Sequence, residues 1–253
     1  MIALANLRVA LPDATEVERE RILEGVYDNL GRNVLMLARL PRLTPRNISD
    51  WVSYDGLEHY QRGIEQGRGV LFLTAHLGGW ELSSAAHALF GHPMWVMVRT
   101  LDNSLLDTLV SQRRRLFGNR VIRKQDAAKL TLKALRNNEA VGILADQNTI
   151  GADGVFVDFF GKPAAATKSV AQFARQTGAA VVFGFALWQP ETGRFVLRFR
   201  PLEMVESEDR DADLVENTQR CQAAIERVVK EHPEQWLWIH DRWKRRPPVD
   251  ARS

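Results

Sequence analysis

Leu71-Phe72-Leu73-Thr74-Ala75-His76-Leu77-Gly78-Gly79-Trp80-Glu81 is the stretch on which the fold turns. Val70 to Thr74 is a short apolar run of the kind that forms a buried strand. It hands over to a histidine, two glycines and a segment able to start a helix. Open α/β sheets bind ligands at the carboxyl ends of their strands, so His76 falls at a position suited to chemistry. Gly78 and Gly79 permit a tight turn close to a substrate. The amides of a helix beginning near Trp80 could hold an oxyanion or a phosphate.

Glu81 follows His76 by five residues. On a regular helix that is about 500°, leaving the two side chains about 140° apart, so they meet only if His76 lies in the turn. A carboxylate bonded to one imidazole nitrogen would fix the tautomer and leave the other nitrogen to accept a proton from a hydroxyl. The alternative is a pair that merely satisfies local hydrogen bonds, since so short a pattern arises easily by chance.

Outward from this stretch the texture repeats. Trp95 to Val98 and Val141 to Ala145 are further short apolar runs, separated by helix-length segments. Asn103 is expected to cap a helix ending at Gly118, Asp126 one running to about Asn138, and Ser169 to Gln176 to form a third. Ala179 to Leu187 and Phe195 to Phe199 read as a hairpin around Pro190 to Gly193. Upstream, Thr15 and Glu18 make a capping box, and Leu23, Val26, Leu30, Val34 and Leu37 trace an apolar stripe that Pro41 ends. Downstream, a helix from about Asp211 to Glu231 precedes a tail rich in Trp and Arg.

The expectation is an α/β fold: one domain over 1–253 with a mixed, largely parallel sheet flanked by helices. It divides into a helical layer over 1–50, a core over 69–200, and a helix and tail over 211–253.

At 253 residues the chain can bury a substantial core, and 45% hydrophobic with 26% charged residues is ordinary for a globular protein. The one cysteine, Cys221, excludes an internal disulfide and a cysteine-based structural zinc site. Leu214, Thr218, Ile225 and Val228 share its helical spacing, so it is expected in the core. No apolar run approaches the roughly 20 residues of a membrane helix, and Met1 to Leu11 lacks the pattern of a signal sequence. Any membrane contact is expected to be peripheral. A G-x-S-x-G elbow and a G-x-x-x-x-G-K-[ST] loop are both missing, which argues against an α/β-hydrolase and a nucleotide phosphotransferase.

Several ordered motifs together give the sequence a family likeness: His76-Leu-Gly-Gly-Trp-Glu81; Arg99 with Asn103; Arg114 to Gly118; Asp146-Gln147; Val157-Asp-Phe-Phe-Gly161 with Thr167; and Trp238-Ile-His-Asp-Arg-Trp-Lys-Arg-Arg-Pro247. Over nearly its whole length the chain resembles the late acyltransferases of lipid A biosynthesis, the lauroyl and myristoyl transferases, within the wider H-x4-D/E glycerolipid acyltransferase superfamily. The tail departs from the family in carrying Asp241 where another arginine is common. Members commonly begin with a hydrophobic membrane helix, which this sequence does not show. The likeness implies transfer of a fatty acyl chain from an acyl carrier protein or CoA thioester to a hydroxyl of a membrane glycolipid. It implies no further cofactor or metal, and a place at the cytoplasmic face of the inner membrane. The same motif also serves other acceptors, a lysophospholipid or a phosphatidylinositol mannoside, and a silent lipid-binding protein could keep the fold.

On this likeness His76 is the general base, with Glu81 expected ahead of Asp146 as the group that orients it. Arg99, Asn103, Arg115, Gln147 and Thr167 are expected to bind substrate. Asp146, ending a strand, belongs at the edge that carries His76, or else caps the following loop. Arg99 offers a planar fork for phosphate, or else a surface ion pair. Arg113, Arg114, Arg115, Arg120, Arg123 and Lys124 form the densest basic cluster, suited to an acidic carrier or anionic headgroups unless it is a solvated face. Nucleic acid is not expected, because no basic-aromatic recognition motif or helix-turn-helix pattern is present. Trp236, Trp238 and Trp243 alternate with His240, Arg242, Lys244, Arg245 and Arg246, which suits an anionic lipid surface or indoles packed on the domain. Phe156, Phe159 and Phe160 pose a choice between an acyl pocket and plain core.

Overall fold

Alternation along the second strand shows how the chain builds two cores. Val70 and Phe72 face one side of the sheet and Leu71 and Leu73 the other, and all four are buried. A strand buried on both faces needs helices on both, and the alternating order of elements supplies them.

The computed structural model describes residues 2–149 and 151–247, with Lys124 and Ala152 described in backbone only. Its elements are α1 (Ile2–Ala10), α2 (Glu16–Arg39), β1 (Val52–Asp55), α3 (Leu57–Glu65), β2 (Val70–Thr74), α4 (Trp80–Leu89), β3 (Trp95–Val98), α5 (Ser104–Arg114), β4 (Arg120–Arg123), α6 (Ala127–Arg136), β5 (Ala140–Leu144), β6 (Gly154–Phe159), β7 (Lys162–Thr167), α7 (Ser169–Thr177), β8 (Ala180–Gln189), β9 (Arg194–Pro201) and α8 (Arg210–Glu231). The main sheet has the order β1-β9-β8-β2-β5-β3-β4. Its pairs are parallel except β8 with β9, so the mixed, largely parallel sheet expected from the sequence is present. β6 and β7 form a separate antiparallel ribbon.

The capping box at Thr15 and Glu18 is formed, and Cys221 is buried on α8. Two local readings need correction. The buried face of α2 runs through Leu23, Val26, Asn29, Asn33 and Met36, while Val34 is 62% exposed. The apolar stripe is thus replaced by two asparagines in mid-helix. Asp126 stands at the N-cap of α6, but its side chain makes no cap bond.

The tail also departs from the lipid-facing reading. Trp236 and Trp238 are 1% and 0% exposed, and Arg242 is 0% exposed, its guanidinium donating to Ala165 O at 2.5 Å and Gln222 Oε1 at 3.0 Å. The tail is therefore a strap packed into the first core, with Phe159 and Phe160 beside its indoles. Of its cations among the described residues, Lys244, Arg245 and Arg246 are the exposed ones. Among the described residues, no helix is long and apolar enough to cross a membrane.

Candidate active site

β2 and β5 are adjacent and parallel, so the residues just past their carboxyl ends lie side by side. His76 follows β2 and Asp146 follows β5. His76 Nδ1 lies 2.9 Å from Asp146 Oδ1, and the His76 backbone N–H donates to Oδ2 of the same carboxylate at 2.9 Å. Trp236 Nε1–H donates to Oδ2 as well, also at 2.9 Å. Burial pushes the Asp146 carboxyl up, but attraction to His76 and these hydrogen bonds outweigh it and hold the group down at about 2. An ionised carboxylate can only accept, so Nδ1 carries the proton and Nε2 is left as the basic nitrogen. Burial pulls the His76 imidazole down, yet the attraction and hydrogen bond of Asp146, helped by Glu81, raise it above its ordinary value. With its side chain 23% exposed, the imidazole is reachable by substrate.

The expected order of partners is thus reversed. Glu81 does not bond the imidazole: Arg114 donates to it through Nε at 2.9 Å and Nη2 at 2.5 Å, a bidentate pair with both side chains largely shielded. The pair lines a small cleft of about 40 Å³ between the sheet and α4, together with Phe72, Thr74, Trp80, Met94, His87 and Phe199. Phe156 is half-buried on the ribbon, and neither it nor Phe159 or Phe160 lines this cleft.

The turn bearing His76 is fixed from outside. Gly78 has φ +60°, and a Cβ there would lie 2.0 Å from Ala186 O, so no other residue fits. Gly78 N–H donates to Gln235 O and Gly79 N–H to Ala186 O, which removes both amides as oxyanion donors. The first-turn amides of α4, headed by a Gly79 N-cap without a side-chain cap bond, keep that capacity. Gly78 O receives Asn33 Nδ2 at 2.7 Å and Asn29 Nδ2 at 3.2 Å. Sequence reasoning missed both asparagines; their i, i+4 spacing on the buried side of α2 was the available signal. It also missed Gln235, whose side chain accepts from Trp188 N and donates to Trp188 O. Gln222, another unforeseen group, joins Arg242 to Ala145 O, next to Asp146.

The residues expected to bind substrate are placed as follows. Arg99 is 82% exposed and lies 3.8 Å from Asp102, a surface ion pair. Asn103 caps α5, accepting from Leu105 N and Leu106 N. Thr167 accepts from Ser169 N and bonds Ser169 Oγ at the start of α7. Arg115 is exposed, and Gln147 is half-buried beside Asp146. The basic cluster is dispersed: Arg114 turns in to Glu81, Arg120 pairs with Glu139 and Arg123 with Asp107, leaving Arg113 and Arg115 without an ion pair among the described residues. The Lys124 side chain lies outside the described residues.

The family model for bacterial lipid A biosynthesis acyltransferases matches residues 1–245. The chain is 28% identical over 250 residues to a lipid A biosynthesis myristoyltransferase of Escherichia coli (strain K12), covering 97% of this chain and 75% of that protein. It is 27% identical over 243 residues to a lipid A biosynthesis lauroyltransferase of the same organism, covering 96% and 78%. A lipid A biosynthesis acyltransferase of Haemophilus influenzae is 25% identical over 239 residues, covering 94% and 73%. With the histidine and its buried carboxylate at the sheet edge and the match running almost end to end, the chain belongs to the bacterial lipid A biosynthesis acyltransferase family and is an acyltransferase.

Proposed function

We propose that this acyltransferase moves a fatty acyl chain from a thioester donor, on acyl carrier protein or CoA, to a hydroxyl of a lipid A precursor, with His76 as general base. The observation that carries the reading is the His76–Asp146 bond at 2.9 Å, which leaves Nε2 of a partly exposed imidazole free to accept a proton. The acceptor hydroxyl gives its proton to Nε2 as its oxygen attacks the thioester carbonyl carbon. The tetrahedral oxyanion then collapses, the C–S bond breaks, and the imidazolium returns the proton to the departing thiolate. No acyl-enzyme forms in this scheme.

Asp146 acts as a positioning residue: it holds the tautomer and stabilises the imidazolium without itself being protonated. The first-turn amides of α4 supply positive potential for the oxyanion. The cleft beside Glu81 and Arg114 is the proposed entry for the acyl chain, its walls otherwise apolar apart from Thr74, two serines and His87. Because its volume is about 40 Å³, chain entry requires Trp80 or Met94 to move aside. The names of the E. coli relatives, a myristoyl, a lauroyl and a palmitoleoyl transferase, support a fatty acyl group, saturated or monounsaturated, as the one transferred.

Incubating the purified chain with a lipid A precursor and acyl-carrier or CoA thioesters, followed by mass spectrometry of the glycolipid, tests the proposal. An added acyl mass that disappears with His76→Ala is expected. Bound glycolipid that gains no acyl group would instead support a silent lipid-binding protein.

A further inference from the structure

Three arginines converge on a pocket at the other end of the same sheet edge. Trp51 precedes β1, Trp188 lies near the end of β8 and Phe195 near the start of β9, so all three sit at the edge that carries His76. With the C-terminal half of α2 they enclose an open pocket of about 460 Å³, a volume suited to a small-molecule headgroup. Arg32 lies over the Trp188 ring at 5.0 Å and Arg39 over Trp51 at 4.1 Å, while Arg42 completes the wall. Among the described residues no carboxylate lines the pocket, and none of the three arginines has an ion pair. A guanidinium stacked face-on to indole keeps its N–H edge available for a planar, bidentate contact with phosphate.

Beside the pocket, α2 exposes an apolar strip. Leu35 is 71% exposed, Val34 62% and Tyr27 48%, with Gly31 and Ala38 between them on the helix surface. At about 100° per residue these five positions span one face that borders the Arg32 and Arg39 row. Leu35 and Ala38 of this strip also line the pocket, so the two surfaces are continuous. Unpaired guanidinium groups over aromatic walls, flanked by exposed aliphatic side chains, match an anionic head joined to a hydrocarbon tail.

We propose that this pocket binds the phosphodiester headgroup of an anionic bilayer phospholipid, with the lipid tail lying along Val34 and Leu35. The site is distinct from the His76 centre and the proposal does not rest on acyl transfer. It moves the membrane-facing surface from the tail, where Trp236, Trp238 and Arg242 are buried, to α2.

Co-sedimentation of the full chain with phosphatidylcholine vesicles, and with an equimolar phosphatidylcholine–phosphatidylglycerol mixture, tests this. The Arg32→Gln/Arg39→Gln/Arg42→Gln variant should bind the anionic vesicles roughly 100-fold more weakly. The charge-matched Lys244→Gln/Arg245→Gln/Arg246→Gln variant should lose under about threefold, and His76→Ala should bind as wild type. In solution, dihexanoylphosphatidylglycerol should change the tryptophan fluorescence, and Trp188→Leu should weaken that change. Inorganic phosphate should not compete. Equal losses in the two charge-matched variants would overturn the proposal in favour of unspecific attraction, and competition by inorganic phosphate would reduce the pocket to a simple anion site. Should the triple variant lose its melting transition, Arg42→Gln, altered at an exposed side chain, carries the comparison with an expected loss of about fivefold.

Discussion

His76 and Asp146, seventy positions apart in the chain, share two hydrogen bonds: the carboxylate takes the imidazole Nδ1–H with one oxygen and the His76 backbone N–H with the other. One side chain thereby sets both the ring and the turn that carries it. His76→Ala should lower kcat by about 10²- to 10⁴-fold with folding intact. Asp146→Asn should approach that defect, because an amide oriented by Trp236 no longer enforces the tautomer. Glu81→Gln should cost less in the proton-transfer step while loosening Arg114. Steady-state kinetics of the three variants, each checked by melting temperature, decides the order; a Glu81 defect exceeding that of Asp146 would contradict it.

The rate should follow a basic limb. His76 must be neutral to act, and its folded pKa lies above 6.5, so activity rises with pH and levels off only above that raised value. Asp146→Asn removes the attraction that offsets burial, so the midpoint should fall below 6.5 while the plateau drops. A pH–rate profile whose midpoint stays put in the variant would dissociate His76 from the titration.

Acid stability follows from the same carboxylate with the opposite sign. Its folded pKa is depressed from 3.8 to about 2, so its contribution is complete above pH 3.8 and is lost as pH falls toward 2. The shift corresponds to about 2 kcal/mol. Urea unfolding of the wild type should weaken through that window, with less of a fall in Asp146→Asn.

Arg242 should behave as core. Arg242→Gln removes the donor to Ala165 O and strands part of Gln222, at a cost of about 2–4 kcal/mol. Neutralising Lys244, Arg245 and Arg246, which are exposed, should change the unfolding free energy by under about 0.5 kcal/mol. Equal effects from both changes would place Arg242 outside the core.

Arg113 and Arg115 are the members of the basic run left without an ion pair among the described residues, which makes them the remaining candidates for an acidic carrier. Arg113→Glu/Arg115→Glu should raise KM for a carrier-bound donor severalfold and leave a small thioester donor nearly unchanged. Equal effects on the two donors would remove the carrier from this surface.

What could be read without coordinates divides along a physical line. His76 and Asp146 each end an apolar strand, and strand ends in a parallel sheet meet, so their approach was legible. The choice of Glu81 as partner failed because its nearness in sequence outweighed Arg114, which arrives from the end of α5. The Trp and Arg of the tail suggested a lipid surface because composition does not reveal which side of a segment is covered; Gln222 and Ala165 O, which receive Arg242, come from distant elements. The β6–β7 ribbon was missed because Lys162–Thr167 offers a proline and three alanines rather than β-branched residues. Asn29 and Asn33 were missed because they lie beside the expected apolar stripe of α2, though they are the groups that hold Gly78 O.

The turn at Gly78 is pinned by two segments some two hundred positions apart, Asn29 and Asn33 of α2 and Gln235 at the start of the strap, while Asn6 of α1 donates to Trp238 O and His240 O. During synthesis, β2, β5 and β8, which all lie before residue 190, are made ahead of residue 235. The nascent sheet therefore has its histidine and its carboxylate yet lacks Trp236 and Gln235, two of the groups that hold them in register. The site is therefore complete only once residues 235 and 236 have folded back beside α2 and β5.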